Sequence, residues 1–244
     1  TVKDQAPDVF LIGNIGFAQL LTDESCDAVK RAVSMIEADA LAIHVNALQE
    51  MVQVEGDRHF SGALERIEAV CAELKVPVLV KEVGCGLDLV TARALHQAGV
   101  AALDVGGGGG TSWSYIEGKR AHDPHTQRLG ELFRDWGIPT AYSLSALHQA
   151  NLGIPLVATG GIRDGLMVAK ALALGASLAG IGLPLFRAAL ESASAPVKLL
   201  ENIKRELEIS MVCTGVKTVS QLNQRLRLSQ RFREQMSGPY EQLL

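Results

Sequence analysis

Three features predict an α/β fold, a parallel β/α barrel of the eight-unit TIM type. Short apolar runs alternate with longer amphipathic stretches, the runs are apolar on both faces, and each ends on a residue able to do chemistry. Val78-Leu79-Val80 and Leu156-Val157-Ala158 lack the polar alternation of a half-exposed strand, so the sheet is covered on both sides and parallel. The run ending in His44, Val45 and Asn46 leads into Gln49 and Glu50, and Val80 leads into Lys81 and Glu82. Asp104 leads into Gly106–Gly110, and Thr159 into Gly160, Gly161, Ile162 and Arg163. A barrel delivers every such strand end to one face, where distant residues converge on one site.

In chain order, the strands are expected at 9–14, 40–46, 77–83, 101–105, 155–159 and 178–182. Helices are expected at 23–38, 61–74, 88–98, 126–136 and 164–174, with Thr22 or Asp23 capping the first and Asp88 the third. Gly99, Gly137, Gly153 and Gly175 follow helix ends, where a left-handed cap favours glycine. Residues 195–244 form a C-terminal helical tail of one domain, 1–244, with Leu207, Met211 and Val212 spaced to pack on the body. Six strands fall short of eight, because the last fifty or so of the 244 residues go into the tail. The expectation is therefore a barrel whose first two βα units are missing from this chain, carried by about a hundred residues before Thr1. The sheet should then be open between 9–14 and 178–182. The competing fold, an open doubly wound sheet, would gather its ligand at one switch point instead of placing polar residues on every strand end.

Composition narrows the function. With 48% hydrophobic and 20% charged residues the chain can bury a large core, and a mixed net charge of −4 without a basic run gives no nucleic-acid footprint. No run approaches a membrane span, and Thr1-Val2-Lys3-Asp4-Gln5 does not read as a signal peptide; an internal start is expected. Cys26, Cys71, Cys85 and Cys213 lack CxxC spacing and are expected as free thiols of a cytoplasmic protein. His122-Asp123-Pro124-His125 reads as a surface loop and not as a metal site.

Thr159-Gly160-Gly161-Ile162-Arg163 before a helix, and Gly180-Ile181-Gly182-Leu183 on the next unit, suit a phosphate cup of backbone amides and helix dipoles; glycine serving only tight turns is the plainer alternative. Five glycines at 106–110 indicate backbone that approaches something flat or uses positive φ, or else a flexible loop. Lys81 at a buried strand end is a Schiff-base nucleophile, a cation holding an anionic cofactor, or half of a structural pair with Glu82. His44, Asn46, Gln49 and Glu50 offer one carboxylate among imidazole and amides, which suits a phosphorylated ligand that shares a Mg²⁺; a polar loop with a satisfied histidine is the alternative.

Taken together, His44-Val45-Asn46-Ala47-Leu48-Gln49-Glu50, the stretch from Glu55 to Gly62, Val80-Lys81-Glu82-Val83-Gly84, Gly107 to Trp113 and Thr159 to Arg163 resemble type 2 isopentenyl-diphosphate isomerases, from about residue 9 to the tail. More distantly the chain resembles α-hydroxy-acid oxidases and IMP dehydrogenases, but the oxidases' His-Gly-Gly-Arg-Gln segment and the dehydrogenases' loop cysteine are absent. The resemblance implies an FMN-linked barrel that converts isopentenyl diphosphate to dimethylallyl diphosphate for isoprene biosynthesis. It implies reduced FMN as an acid–base cofactor, NADPH as reductant, Mg²⁺, and a homo-oligomer, tetramer or octamer. By matching position, Asn14, Lys81 and Thr111 would contact the flavin, and Gly161, Ile162, Arg163, Gly182 and Leu183 its phosphate. Gln49 and Lys81 would be catalytic, His44, Asn46, Gln49 and Trp113 would line the substrate pocket, and Glu50 would hold the metal. The alternatives are an FMN oxidoreductase of the oxidase or dehydrogenase kind, and an inactive barrel that binds a phosphorylated ligand.

Overall fold

The computed structural model describes residues 2–21 and 25–237. After a short α1 (Val2–Gln5), β1 (Ile12–Gly16) leads through a 3-10 turn to α2 (Ser25–Met35) and β2 (Ala40–Val45). Helices α3 (Ala47–Val52) and α4 (Ala63–Glu73) precede β3 (Val78–Glu82), and α5 (Leu89–Gln97) precedes β4 (Ala102–Asp104). Three helices, α6 (Trp113–Arg120), α7 (Pro124–Leu132) and α8 (Thr140–Ala150), fill the connection to β5 (Leu156–Ala158). Then come α9 (Gly165–Ala173), β6 (Leu178–Ala179), α10 (Leu183–Glu191), α11 (Ala195–Thr214) and, after two 3-10 turns, α12 (Gln230–Met236).

All neighbouring strands pair in parallel in the order β1-β2-β3-β4-β5-β6. Spatial order follows chain order with no reversal, so there is no switch point and the doubly wound alternative fails; the arrangement is six consecutive strands of a barrel. Among the described residues β1 and β6 each pair with one neighbour only. Beside those two edges Phe10, Ile12, Leu178, Leu183 and Phe186 are exposed. The core runs between sheet and helices, where Leu41, Ile43, Val80, Leu103, Leu144 and Leu147 are fully buried.

The expected strands are all present, shortened at their ends, and the first is displaced to Ile12–Gly16, in register with Ala40–His44. Upstream of it, the Asp39 carboxylate accepts the Leu11 N–H and pairs with Lys3, which fixes Val9 and Phe10 outside the sheet. Of the five expected helices four occur with trimmed ends, and the one expected at 126–136 begins two residues earlier, as α7. α10 follows the helix start expected at Leu183, but α1, α3, α6 and α8 were not anticipated. α8 conceals itself because its buried face carries serines: Ser143 and Ser145 are buried, and Ser143 Oγ donates to the Leu87 carbonyl at 2.6 Å. Residues 122–125 are not a free loop either, since Asp123 caps α7 and Pro124 opens it. Asp88 caps α5 as expected, whereas Thr22 and Asp23 lie outside the described residues. Asn151, not Gly153, takes the left-handed position that ends α8, and Gly137 instead packs on the Cys85 backbone. In the tail, Leu207 and Met211 pack on α9 with Val216 and Leu222, but Val212 faces outward.

Candidate active site at the carboxyl end of the sheet

One row crosses three neighbouring strands near their carboxyl ends. His44 lies in register with Lys81, and Lys81 with Asp104, so all three side chains stand on the same face of the sheet. His44 Nδ1 hydrogen-bonds Asn14 Oδ1 of β1 at 3.3 Å. Burial, reinforced by the Lys81 ammonium, pushes the His44 pKa down against a smaller opposing pull from Glu50. Lys81 Nζ donates to the Glu82 carbonyl at 2.9 Å and makes no ion pair with the Glu82 side chain, which turns to the other face. There the Glu82 carboxylate accepts the backbone N–H groups of Val83, Gly84 and Cys85 and shapes the turn after β3. Its pKa is nonetheless raised, because burial outweighs those hydrogen bonds. Of the three roles open to Lys81, the structural pair with Glu82 is therefore not formed.

A second cluster sits on the loop after β2 and the helices beyond it. Asn46, at the N-cap of α3, is 4% exposed; its Nδ2 donates to Glu50 Oε1 at 3.0 Å and Gln49 Oε1 at 3.4 Å, which leaves Oδ1 buried without a partner. Glu50 Oε2 accepts the Asp57 N–H at 3.0 Å. Gln49 Nε2 donates to Glu117 Oε1 at 2.8 Å, and Arg120 holds Glu117 Oε2 at 2.9 Å. Sequence reading missed Glu117, a buried acid on α6. The one hint was Gly118 beside it: a Cβ there would lie 2.8 Å from the Gly130 backbone of α7, so this face of α6 packs inward. Leu48, Cys85, Trp113 and Trp136 join Asn46 and Gln49 around a shallow pocket. Burial raises the Cys85 thiol to about 12, so this cysteine is no nucleophile near neutral pH.

The β5–β6 side is built from backbone. A Cβ on Gly160 would fall 2.1 Å from the Gly107 carbonyl, and one on Gly161 2.3 Å from that of Gly109. The glycine run is therefore not a flexible loop; it lies against the loop after β5. Arg163 clamps the two, donating to the carbonyls of Gly161 at 2.9 Å and Gly109 at 2.8 Å, while Thr140 Oγ1 donates to Gly160 O at 2.7 Å. Ile162 is buried in the core. The α9 N-terminus is already occupied by carboxylates, Asp164 accepting Met167 N–H and Glu206 accepting Gly165 N–H. At α10, by contrast, Gly182 and Leu183 carry no side-chain cap. An anion on this side would accordingly meet the loop amides and the α10 start, not the α9 dipole. Thr111 is exposed, with its carbonyl packed against Gly84.

No group of three His, Cys, Asp or Glu side chains among the described residues could hold a metal alone. The donor set does suit a hard divalent cation that shares its ligands with a diphosphate, because the unpartnered Asn46 Oδ1 lies beside the Glu50 carboxylate. A phosphorylated flavin also fits the chemistry, with a cation at Lys81 and a glycine-lined cradle opposite it.

The model of the FMN-dependent dehydrogenase family matches residues 18–229. Proteins named isopentenyl-diphosphate delta-isomerase are similar: that of Stutzerimonas stutzeri is 48% identical over 223 residues, covering 91% of this chain and 64% of its own length. That of Synechococcus sp. is 50% identical (87% and 61% covered), and that of Methanosarcina mazei 45% identical (91% and 60%). The chain thus spans less than two thirds of the curated relatives it matches. Among solved structures, a mandelate oxidase mutant with the monooxide FMN adduct superposes with TM-score 0.61 at 24% identity, covering 86% of this chain and 60% of its own. Another mandelate oxidase mutant, with a trifluorinated dihydroxypropanoic acid, gives 0.58 at 27% identity (83% and 59%).

Proposed function

The chain belongs to the FMN-dependent dehydrogenase family, and from that premise we propose that the protein isomerises isopentenyl diphosphate to dimethylallyl diphosphate. Reduced FMN, Mg²⁺ and NADPH as reductant complete the proposal, in one cytoplasmic barrel domain that works as a homo-oligomer. The observation that carries it is the Gln49–Glu117 pair set beside Asn46 and Glu50. Moving a double bond by one position adds a proton at one carbon and removes another two carbons away, with no change of oxidation level. That chemistry needs a proton acceptor beside the substrate and an anion grip for the diphosphate.

Each residue has a place in this scheme. Glu117 Oε1, linked to the pocket through Gln49 Nε2, is the base that receives a proton, and Arg120 holds its other oxygen. Glu50 and Asn46 Oδ1 would hold Mg²⁺ against the diphosphate, with His44 next to them. Trp113 walls the hydrocarbon and excludes water. Reduced FMN, when bound, supplies a second proton-transfer group at N5, and Lys81 steadies negative charge on the ring. Thr111 and Asn14 would flank the ring; Gly161, Ile162, Arg163, Gly182 and Leu183 would hold the phosphate. The names of the relatives support the reading, and so does the absence of the oxidases' His-Gly-Gly-Arg-Gln segment.

The test is anaerobic. Bound FMN is reduced stoichiometrically, excess reductant is removed, isopentenyl diphosphate and Mg²⁺ are added, and product and flavin absorbance are followed together. Many turnovers per flavin, without reoxidation, are expected. Full activity with oxidised flavin, or one flavin reoxidised per product, would promote an oxidoreductase.

A further inference from the structure

Asp104 takes no part in the proton transfers above, yet it is a buried carboxylate at the centre of the sheet's carboxyl end, 7% exposed. Its Oδ1 accepts Thr159 Oγ1–H at 2.6 Å and the Gly106 N–H at 3.1 Å. Those two donors need an acceptor, which the amide oxygen of an asparagine would supply equally well. A charge in this position calls for a separate reason, since burying a carboxylate costs more than burying an amide unless a cation stands near. Lys81 is that cation: it occupies the register position directly opposite Asp104 on β3. Its charge acts on both flanks: burial raises the Asp104 pKa and the ammonium opposes that rise in part, while on the other side it adds to the burial that lowers the His44 pKa. Lys81 Nζ is itself bonded to the Glu82 carbonyl, so it reaches Asp104 as a charge through space.

We infer that Asp104 is a positioning residue that works through Lys81, offsetting part of the ammonium charge and so setting how strongly the site favours an anionic reduced flavin over the oxidised form. The inference rests on the flavin assignment. Without Asp104 the ammonium would act at full strength, over-stabilising the anionic reduced ring and making it a weaker proton acceptor.

Two measurements test it. In the first, the flavin bound to the full chain is equilibrated with a reference dye. Asp104→Asn should shift the equilibrium toward reduced flavin by about tenfold, the size of one neighbouring charge, and Lys81→Met should shift it the other way. If Asp104 acts through Lys81, adding Asp104→Asn to Lys81→Met should move the equilibrium little further. An undiminished shift in the double variant, or a change in flavin affinity with the equilibrium unmoved, would overturn the inference. The second measurement needs neither flavin nor the Asp104 variant. In Lys81→Met protein labelled with ¹³C at aspartate, removal of the cation should leave a protonated aspartic acid with an infrared carboxyl band at neutral pH, absent from the unsubstituted chain. No such band means that the two residues do not interact. If the band appears in Lys81→Met but the unsubstituted chain takes up no flavin, the pair stands and the cofactor assignment falls.

Discussion

The two sides of the site are held by different means. On the β2–β4 side, side chains hold one another: Asn46 reaches Glu50 and Gln49, Gln49 reaches Glu117, and Thr159 reaches across to Asp104. On the β5–β6 side backbone meets backbone, with glycine loops in van der Waals contact and Arg163 and Thr140 bonded to their carbonyls. Chemistry needs groups of particular charge in fixed orientation, which side-chain networks provide. Gripping an anion needs closely spaced amides, which only residues without a Cβ can bring together. A substitution should therefore damage one side through charge and the other through shape.

The largest effect is expected on the backbone side. Gly161 has φ +82 and its Cβ would meet the Gly109 carbonyl at 2.3 Å, so Gly161→Ala must force the two loops apart. A loss of about 3 kcal/mol or more is expected, read from the urea midpoint, together with loss of flavin binding. A variant that keeps both would show that the loops are not held by close approach. On the side-chain side, Glu117→Gln preserves shape and removes the charge. It should lower turnover about 10²- to 10⁴-fold, as loss of a general base does, while flavin titration and thermal midpoint stay near those of the parent. Glu50→Gln provides the contrast within the same cluster: its loss should appear as a higher Mg²⁺ requirement, and unchanged Mg²⁺ dependence would remove Glu50 from the metal site.

The smallest effect is a pH dependence. His44 has its folded pKa below the ordinary 6.5, so the unfolded chain takes up the proton first. The neutral ring's contribution to stability is complete above pH 6.5 and declines as pH falls from there toward the folded value. Burial of Glu82 and Asp104 works in the opposite sense at lower pH, since their raised folded pKa values make ionisation costly as pH climbs from about 4. Denaturant midpoints followed from pH 7 to 5 should fall less steeply in His44→Gln than in the parent. Parallel curves would assign the pH response to other groups.

Much of this was legible in order along the chain. Strand–helix alternation and apolar runs such as Val78-Leu79-Val80 determined a covered parallel sheet, because side-chain period and polarity are local properties. Strand ends carrying His44, Lys81 and Asp104 named the site before any coordinate, since parallel strands share one carboxyl face. Only the tertiary structure decided which of these groups meet. Glu117 is 68 residues from Gln49, and Gly118 beside it hints only that this face of α6 packs inward, not that Glu117 meets Gln49 of α3. The α9 N-terminus looked open in sequence, yet Glu206, from a helix 41 residues on, closes it. The serine-rich face of α8 read as no helix at all, because its hydroxyls find acceptors such as the Leu87 carbonyl only once the core has assembled. Periodicity fixes what each segment can bury; hydrogen-bond partners and close backbone contacts are long-range, and they exist only after the segments have packed.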